Sequence, residues 1–142
     1  MANRIYRGQD MTIRAVTAKV AAALKPGSLV KYNGVQFEAH DDASKKMFVL
    51  GNLDSVGQDV ETAYAVNDSG IGYDAKPSDQ FQARMAAGTY AYGDPLESDN
   101  AGGLKAAAGG MIVAYFEGKT GPVAAGALAD VSIAAFYTPA LV

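Results

Sequence analysis

The chain of 142 residues contains no cysteine, no tryptophan and a single histidine. The lack of cysteine excludes disulfide bonds and thiolate metal sites, so stability must come from packing or from the association of subunits. No apolar run approaches the roughly 20 residues that a membrane-spanning helix requires. Because the chain does not open with a charged-then-apolar leader, we expect neither secretion nor a membrane partner.

The residues that are abundant are typical of a β-rich domain. The chain has 16 glycines, 13 tyrosines and phenylalanines, and 49% apolar residues. Tyrosine and valine favour strands, while glycine supplies tight connections between them. A chain of this length buries roughly two thirds of its unfolded surface, so we expect one core and one domain.

The charges are distributed unevenly along the chain. Residues 1–31 contain six basic residues and one acid, whereas the rest contains six basic residues and fourteen acids. The pattern favours an extended basic arm at residues 1–10, which reaches an acidic partner or a neighbouring subunit, followed by a single β domain at residues 11–142. A solvated terminus whose charges do little is the alternative.

The pattern between residues 28 and 40 predicts a β-hairpin. The dipeptide Asn33-Gly34 separates the runs 28–32 and 35–40. Asn-Gly is typical of a two-residue type I′ turn, which needs positive φ angles at both residues. Apolar residues of the second strand alternate with polar residues that we expect to face solvent, namely Val35, Phe37 and Ala39 against Gln36, Glu38 and His40.

Further segments are predicted to be strands, because they are short apolar runs or alternate between apolar and polar residues. They are residues 46–50, 60–66, 80–85, 89–92, 111–116 and 131–136. Segment 80–85 alternates and should be half exposed, whereas segment 111–116 is apolar on both faces and should be central. Met11–Leu24 mixes strand formers with alanines, and a strand followed by an alanine-rich turn of helix reconciles the two signals.

The spacing of these segments predicts an all-β fold. Strands recur every eight to fifteen residues, without a long periodic helix among them. This spacing favours a single jelly-roll-like, barrel or sandwich domain of short antiparallel strands, with at most one short helix.

Few residues could carry catalysis. His40 stands beside Asp41 and Asp42, and a histidine–aspartate pair is half of an acid–base site, so a small hydrolase is one interpretation. No serine, lysine or second histidine is placed in the sequence to complete the site. We therefore interpret His40 as a surface residue and do not expect an enzyme.

Ligand sites are equally sparse. An oxygen-rich loop before Gly102-Gly103 could bind calcium if its side chains converged, but it lacks the EF-hand order and is interpreted as an acidic turn. Its candidate ligands are Asp94, Glu97, Asp99 and Asn100. The glycine pairs lack the lysine and serine of a P-loop. We expect no metal, no cofactor and, since the body is acidic, no nucleic acid.

Several tyrosines offer an alternative function. If they were exposed together, they would form a stacking platform for sugars, as in a β-sandwich carbohydrate-binding module. If they instead packed in a β core, only their hydroxyl groups would reach the rim. The tyrosines concerned are Tyr64, Tyr90, Tyr92 and Tyr115.

Taken together, several segments resemble small decoration, or cement, proteins on the capsids of tailed double-stranded DNA bacteriophages. In that family the layout starts at a proline-glycine, widens at Gly-Asp-x-Leu and closes on a Val-x-Ile strand. The similarity runs from about residue 10 onward and consists of small residues and turns. It involves segments 24–30, 79–88, 92–96, 103–105, 111–114 and 129–133.

The resemblance implies a non-enzymatic homodimer or homotrimer on the exterior of the virion. Its partner would be the major capsid protein of the same phage, and assembly would take place in the cytoplasm of the bacterial host. We expect Arg4, Tyr6 and Arg7 of the arm to contact the capsid. Deleting residues 1–9 should then weaken attachment and leave the fold intact.

Overall fold

The computed structural model describes Ile5 and residues 14–41, 46–53 and 57–139, with side chains up to Ala134. The described residues form strands and turns, and none of their segments is a helix that could span a membrane. The all-β fold class predicted from the sequence is therefore confirmed. The strands are β1 Ala15–Val20, β2 Leu29–Tyr32, β3 Gln36–Ala39, β4 Phe48–Leu50, β5 Ser69–Asp74, β6 Gln80–Arg84, β7 Gly88–Tyr90, β8 Pro95–Ser98, β9 Leu104–Ala106, β10 Met111–Phe116, β11 Gly121–Val123 and β12 Leu128–Pro139.

The first five strands close into a barrel in the order β1-β3-β2-β4-β5. Four of the five pairings are antiparallel, including the closing pair of β1 with β5. The fifth, between β1 and β3, is parallel and was not expected from the sequence. The barrel interior contains Val20, Val30, Phe37, Phe48, Leu50 and Tyr64. Large side chains thus fill this small barrel.

Two glycines of β5 leave space for these large side chains inside the barrel. A Cβ atom on Gly72 would lie 2.6 Å from Cζ of Phe37, and one on Gly70 would lie 2.6 Å from Cγ2 of Val20. Glycine in a strand interior often marks such a close approach. Because the sequence signal of these glycines is that of a turn, β5 was not predicted.

The other large sheet has the order β6-β12-β10-β8-β9. As predicted, the apolar strand β10 is central. Just beyond β6, Met85 forms a parallel bridge with Leu104 of β9, and the Ala86 N–H donates to the Leu104 carbonyl at 2.8 Å. These bonds bring the two edges of the sheet together, so the sheet is curled. Strands β7 and β11 form a separate two-stranded ribbon.

The main core lies inside the curled sheet and extends to the barrel. Phe81, Leu96 and Phe116 belong to it, and so do Leu29 and Val49, which leave the barrel strands on the face opposite to the barrel interior. Both faces are therefore buried in β4 and in the first half of β2, at Leu29 and Val30. The Leu29 N–H also donates to the Gly102 carbonyl at 2.7 Å, which joins the barrel to the loop between β8 and β9.

The hairpin between β2 and β3 is present, but its turn differs from the expectation. Gly34 has a positive φ of 96°, whereas Asn33 has a negative φ, so the turn is not type I′. Instead, Oδ1 of Asn33 accepts hydrogen bonds from the N–H groups of Val35 and Gln36, both at 2.8 Å. The asparagine shapes the turn with its side chain, an alternative that local composition did not distinguish.

Two predicted elements are wrong. Segment 60–66 is a succession of turns, because the Thr62 N–H donates to the Asp59 carbonyl and the Asp59 carboxylate accepts the Glu61 N–H. Residues 21–24 are not helical, since the chain after β1 is held by the Ala21 N–H donating to the Phe37 carbonyl.

Strand β6 also departs from its prediction, because both of its faces are buried. Gln82 and Arg84 lie on the face that was expected to be exposed to solvent, yet both side chains are buried. Alternation between polar and apolar residues predicted solvent here, whereas the Arg84 guanidinium is buried against main-chain carbonyls to which it donates hydrogen bonds.

Candidate interaction surfaces

The histidine considered for catalysis is fully buried, with an exposed fraction of 0%. His40 follows β3 at the junction with the second sheet, where its N–H donates to the Leu29 carbonyl at 2.9 Å. The interpretation of His40 as a surface residue is therefore wrong. The next residue, Asp41, turns away to pair with Lys31 at 2.8 Å, and Asp42 lies outside the described residues.

The fold brings a serine to His40 that sequence reasoning missed. Nδ1 of His40 lies 3.5 Å from Oγ of Ser98, which comes from the distant strand β8. The Ser98 oxygen also accepts the Asn100 N–H at 3.1 Å, and Ser98 is itself buried. Both side chains are buried, and the pair joins the end of β3 to β8 at the junction of the barrel with the curled sheet.

The acidic side chains before Gly102 do not converge. The Asp94 carboxylate accepts the Ala91 N–H at 2.9 Å, while Asp99 accepts the N–H groups of Ala101 and Gly103. Each carboxylate shapes its own turn. Among the residues that the structure describes, no group of three or more histidine, cysteine or acidic side chains could hold a metal ion.

One more acidic residue of this group, Glu97, lies in β8 rather than in a loop. Its Oε1 accepts the Ala108 N–H at 2.8 Å. Asn100 has a φ of 63°, as in a tight turn. The interpretation of residues 94–100 as a loop is thus corrected, because β8 runs through it.

Two of the four candidate tyrosines are structural. The Tyr64 hydroxyl donates to the Gly51 carbonyl at 2.6 Å, and burial raises the pKa of Tyr64 to about 12. Tyr90 donates to the Ala86 carbonyl and stacks on Phe116 with ring centroids 5.3 Å apart. Its pKa is also raised, first by burial and then by the charge of Asp99.

The other two tyrosines are exposed and lie close to β8. Tyr92 precedes this strand and is 68% exposed, while Tyr115 of β10 is 39% exposed. Tyr115 is the register partner of Pro95 on one side and of Ser132 on the other. Its side chain therefore stands in the middle of the outer face of the curled sheet. Both positions suit contacts with a partner.

A second exposed apolar site lies at the hairpin tip, which we define as residues 32–35. Val35 is 76% exposed, and Tyr32 beside it is half exposed. The tip is well ordered, because the Tyr32 hydroxyl donates to the Gly34 carbonyl at 3.0 Å and its ring packs on Phe37 at 5.6 Å. A preorganised apolar side chain loses little entropy when it binds.

The side chain of Arg84 is buried, and its hydrogen bonds join several connections of the fold. Its guanidinium donates to the carbonyls of Pro26, at 2.8 Å, of Gly126, at 3.0 Å, and of Val60. It also pairs with the Glu61 carboxylate at 3.1 Å. These bonds occupy the guanidinium and tie three connections to β6. Nothing in the local sequence indicated that Arg84 would be buried and bonded in this way.

A second charged cluster lies where β1 and β4 begin and β5 ends. The buried carboxylate of Asp74 pairs with Lys46 at 2.9 Å and with Arg14 at 3.3 Å. The Lys46 ammonium also lies 5.5 Å from the ring centroid of Phe48. The two cations compensate the burial of one carboxylate, and their own ends remain exposed.

A groove with a volume of about 530 Å³ adjoins Arg84. Its walls are mostly alanine and glycine. The charged groups in it are engaged: Lys25 lies 3.7 Å from Glu61, and Asp99 binds the N–H groups of its own turn.

The arm residues Arg4, Tyr6 and Arg7, predicted to contact a capsid, lie outside the described residues. Ile5 between them is described, and it is buried in the main core. Its carbonyl accepts the Gln82 N–H of β6 at 2.8 Å. At this residue the start of the chain is anchored to the domain. Deleting residues 1–9 would therefore remove a core side chain as well as the basic charges.

Comparison with other proteins does not assign this chain to a family. No protein-family model matches this chain, and no curated protein is significantly similar to it.

Proposed function

We propose that this chain is a non-enzymatic structural protein of a tailed-phage virion, a decoration protein that binds the outer surface of the capsid and stabilises it against the pressure of packaged DNA. The proposal rests on the sequence resemblance and on one structural observation. Exposed apolar side chains lie on both the barrel and the curled sheet: at the hairpin tip between β2 and β3, at Tyr92 in the turn before β8, and at Tyr115 of β10.

This arrangement suits a protein that binds two surfaces at once. When one site is engaged, the contact of the second becomes effectively intramolecular and gains affinity without new chemistry. One site would bind the major capsid protein, and the other a capsid neighbour or a second copy in a closed homo-oligomer. The location would be the capsid exterior after assembly in the host cytoplasm.

Co-sedimentation tests the proposal. The purified protein is mixed with expanded empty capsids of the phage that encodes it and separated on a sucrose gradient. We expect saturable binding with a fixed number of copies per shell. Protein that stays at the top of the gradient at every concentration would contradict the proposal.

A carbohydrate-binding module is the second candidate, and the exposure of Tyr92 and Tyr115 favours it. Exposed tyrosine rings stack on sugar faces. A glycan array distinguishes the two functions: specific signals that disappear in a Tyr92→Ala, Tyr115→Ala variant would support sugar binding. An empty array together with capsid binding would exclude it.

A further inference from the structure

The hairpin tip contains a chemically reactive dipeptide. Asn33-Gly34 is the single Asn-Gly in the sequence. An asparagine side chain is attacked by the main-chain nitrogen of the next residue, and glycine hinders this attack least because it has no Cβ. In this structure a Cβ on Gly34 would meet nothing within 4 Å, so the site is open.

We propose that Asn33 is a site of spontaneous deamidation, which the fold accelerates. Oδ1 of Asn33 accepts two main-chain N–H groups, from Val35 and Gln36, each at 2.8 Å. Negative charge develops on this oxygen when the carbonyl carbon becomes tetrahedral. Two fixed donors aimed at such an oxygen stabilise that charge, as in an oxyanion hole.

The nucleophile is also available. None of the main-chain hydrogen bonds among the described residues uses the Gly34 N–H. After this amide loses its proton to hydroxide, its nitrogen attacks Cγ of Asn33 and a five-membered succinimide forms. The Asn33 side-chain nitrogen takes up a proton from water and leaves as ammonia. The net change at this stage is the loss of one ammonia molecule.

Water then opens the succinimide at one of its two carbonyls. Opening on one side gives an ordinary aspartate at this position, and opening on the other gives isoaspartate, in which the main chain runs through the former side chain. The ordinary aspartate keeps an oxygen that accepts the two N–H groups, whereas isoaspartate places an extra carbon in the turn. The folded hairpin therefore favours aspartate over isoaspartate, relative to an unfolded peptide.

The consequence is a new negative charge beside Val35, the most exposed large apolar side chain among the described residues. Charge at the centre of an apolar contact opposes docking, because it must be desolvated. If the hairpin tip binds the capsid, which is the proposed function, conversion would weaken attachment with time. The deamidation itself does not depend on that function.

The rate of conversion in the folded protein tests the proposal. The full chain and a synthetic peptide of residues 28–40 are incubated in the same mildly alkaline buffer, and peptide mapping follows the mass increase at each asparagine. We expect Asn33 to convert at least about tenfold faster in the folded protein, because one hydrogen bond to a charged oxygen is worth about that factor. Enzymatic methylation of isoaspartate measures the product ratio.

Internal and variant controls complete the experiment. Asn67 and Asn100, which precede Asp68 and Ala101, report on the general rate in the same sample. Asn33→Gln should abolish the mass increase at the tip. A folded-state rate equal to or below that of the peptide would overturn the proposal, and so would conversion of Asn33 no faster than that of Asn67 and Asn100.

Discussion

Arg84 shows how one buried charge organises its surroundings. Its guanidinium donates hydrogen bonds to the carbonyls of Pro26, Val60 and Gly126. It also donates to the Glu61 carboxylate. A buried arginine is tolerated when all of its donors are satisfied, and its removal leaves the acceptors without partners.

We expect Arg84→Gln to lower the free energy of unfolding by about 3 kcal/mol, because the shorter amide leaves buried carbonyls unsatisfied. Urea denaturation measures this change. The matched control is Lys119→Gln at an exposed position, which should stay within about 0.5 kcal/mol of the parent. Equal stability of the two variants would show that the Arg84 bonds contribute nothing.

Tyr64 gives the stability a dependence on alkaline pH. Burial raises the pKa of Tyr64 from 10.0 to about 12. Its contribution is therefore fully present below pH 10 and is lost as the pH rises through about 12, since the unfolded chain ionises first. We expect the penalty of Tyr64→Phe, about 1 kcal/mol at neutral pH from the lost bond to Gly51, to shrink over this range. Urea denaturation at a series of pH values measures it, and a constant penalty would contradict the assignment.

At the scale of elements, the sequence predicts those strands whose burial follows a simple pattern. The hairpin of β2 and β3 and the central strand β10 were found because their apolar residues alternate or run continuously. The faces of Val35, His40 and Tyr115 nevertheless differ from the pattern, since Val35 and Tyr115 are exposed and His40 is buried. Strand β5 was missed because Gly70 and Gly72 resemble a turn and serve instead to admit Val20 and Phe37. Such a contact between distant strands is not encoded locally.

A double-mutant cycle tests the fit of β5 in the barrel. Gly72→Ala should destabilise the protein by about 1–3 kcal/mol through overpacking against the Phe37 ring. Phe37→Leu removes the ring atoms that the new methyl group would meet. The double variant should therefore be more stable than additivity predicts, by at least about 0.5 kcal/mol in chemical denaturation. Strict additivity would mean that the two residues do not share this space.

The candidate site was predicted less well than the fold. His40 and Arg84 are buried by contacts with residues 58 positions away, Ser98 and Pro26, and no local pattern indicates such distances. By contrast, the exposure of Tyr92 could have been predicted from its place in a glycine-containing turn. The composition showed that tyrosines were available, but the tertiary fold decided which of them face solvent.

At the scale of the whole molecule, one residue of the basic segment, Ile5, is part of the core. Ile5 is buried, and we expect Ile5→Ala to cost about 2–4 kcal/mol through the lost apolar contacts and the cavity. Val66→Ala, at an exposed position, is the matched control. Urea denaturation that fails to separate the two variants would show that the start of the chain does not stabilise the domain.

The same anchoring determines how the basic arm is tested. Arg4→Gln with Arg7→Gln removes the two charges and keeps Ile5 in place, so stability should be unchanged. Capsid affinity should fall if the arm contributes charge pairs. A deletion of residues 1–9 would mix this effect with loss of the core side chain.

The most direct test of the proposed function is the binding isotherm to expanded capsids of the parent protein, a Val35→Ser variant and a matched Val66→Ser variant. Both valines are exposed, but Val35 alone belongs to the hairpin tip. We predict saturable binding of the parent and of Val66→Ser, and binding at least about tenfold weaker for Val35→Ser, as for the loss of a central apolar contact. No binding by the parent protein, or identical isotherms for all three, would contradict the account.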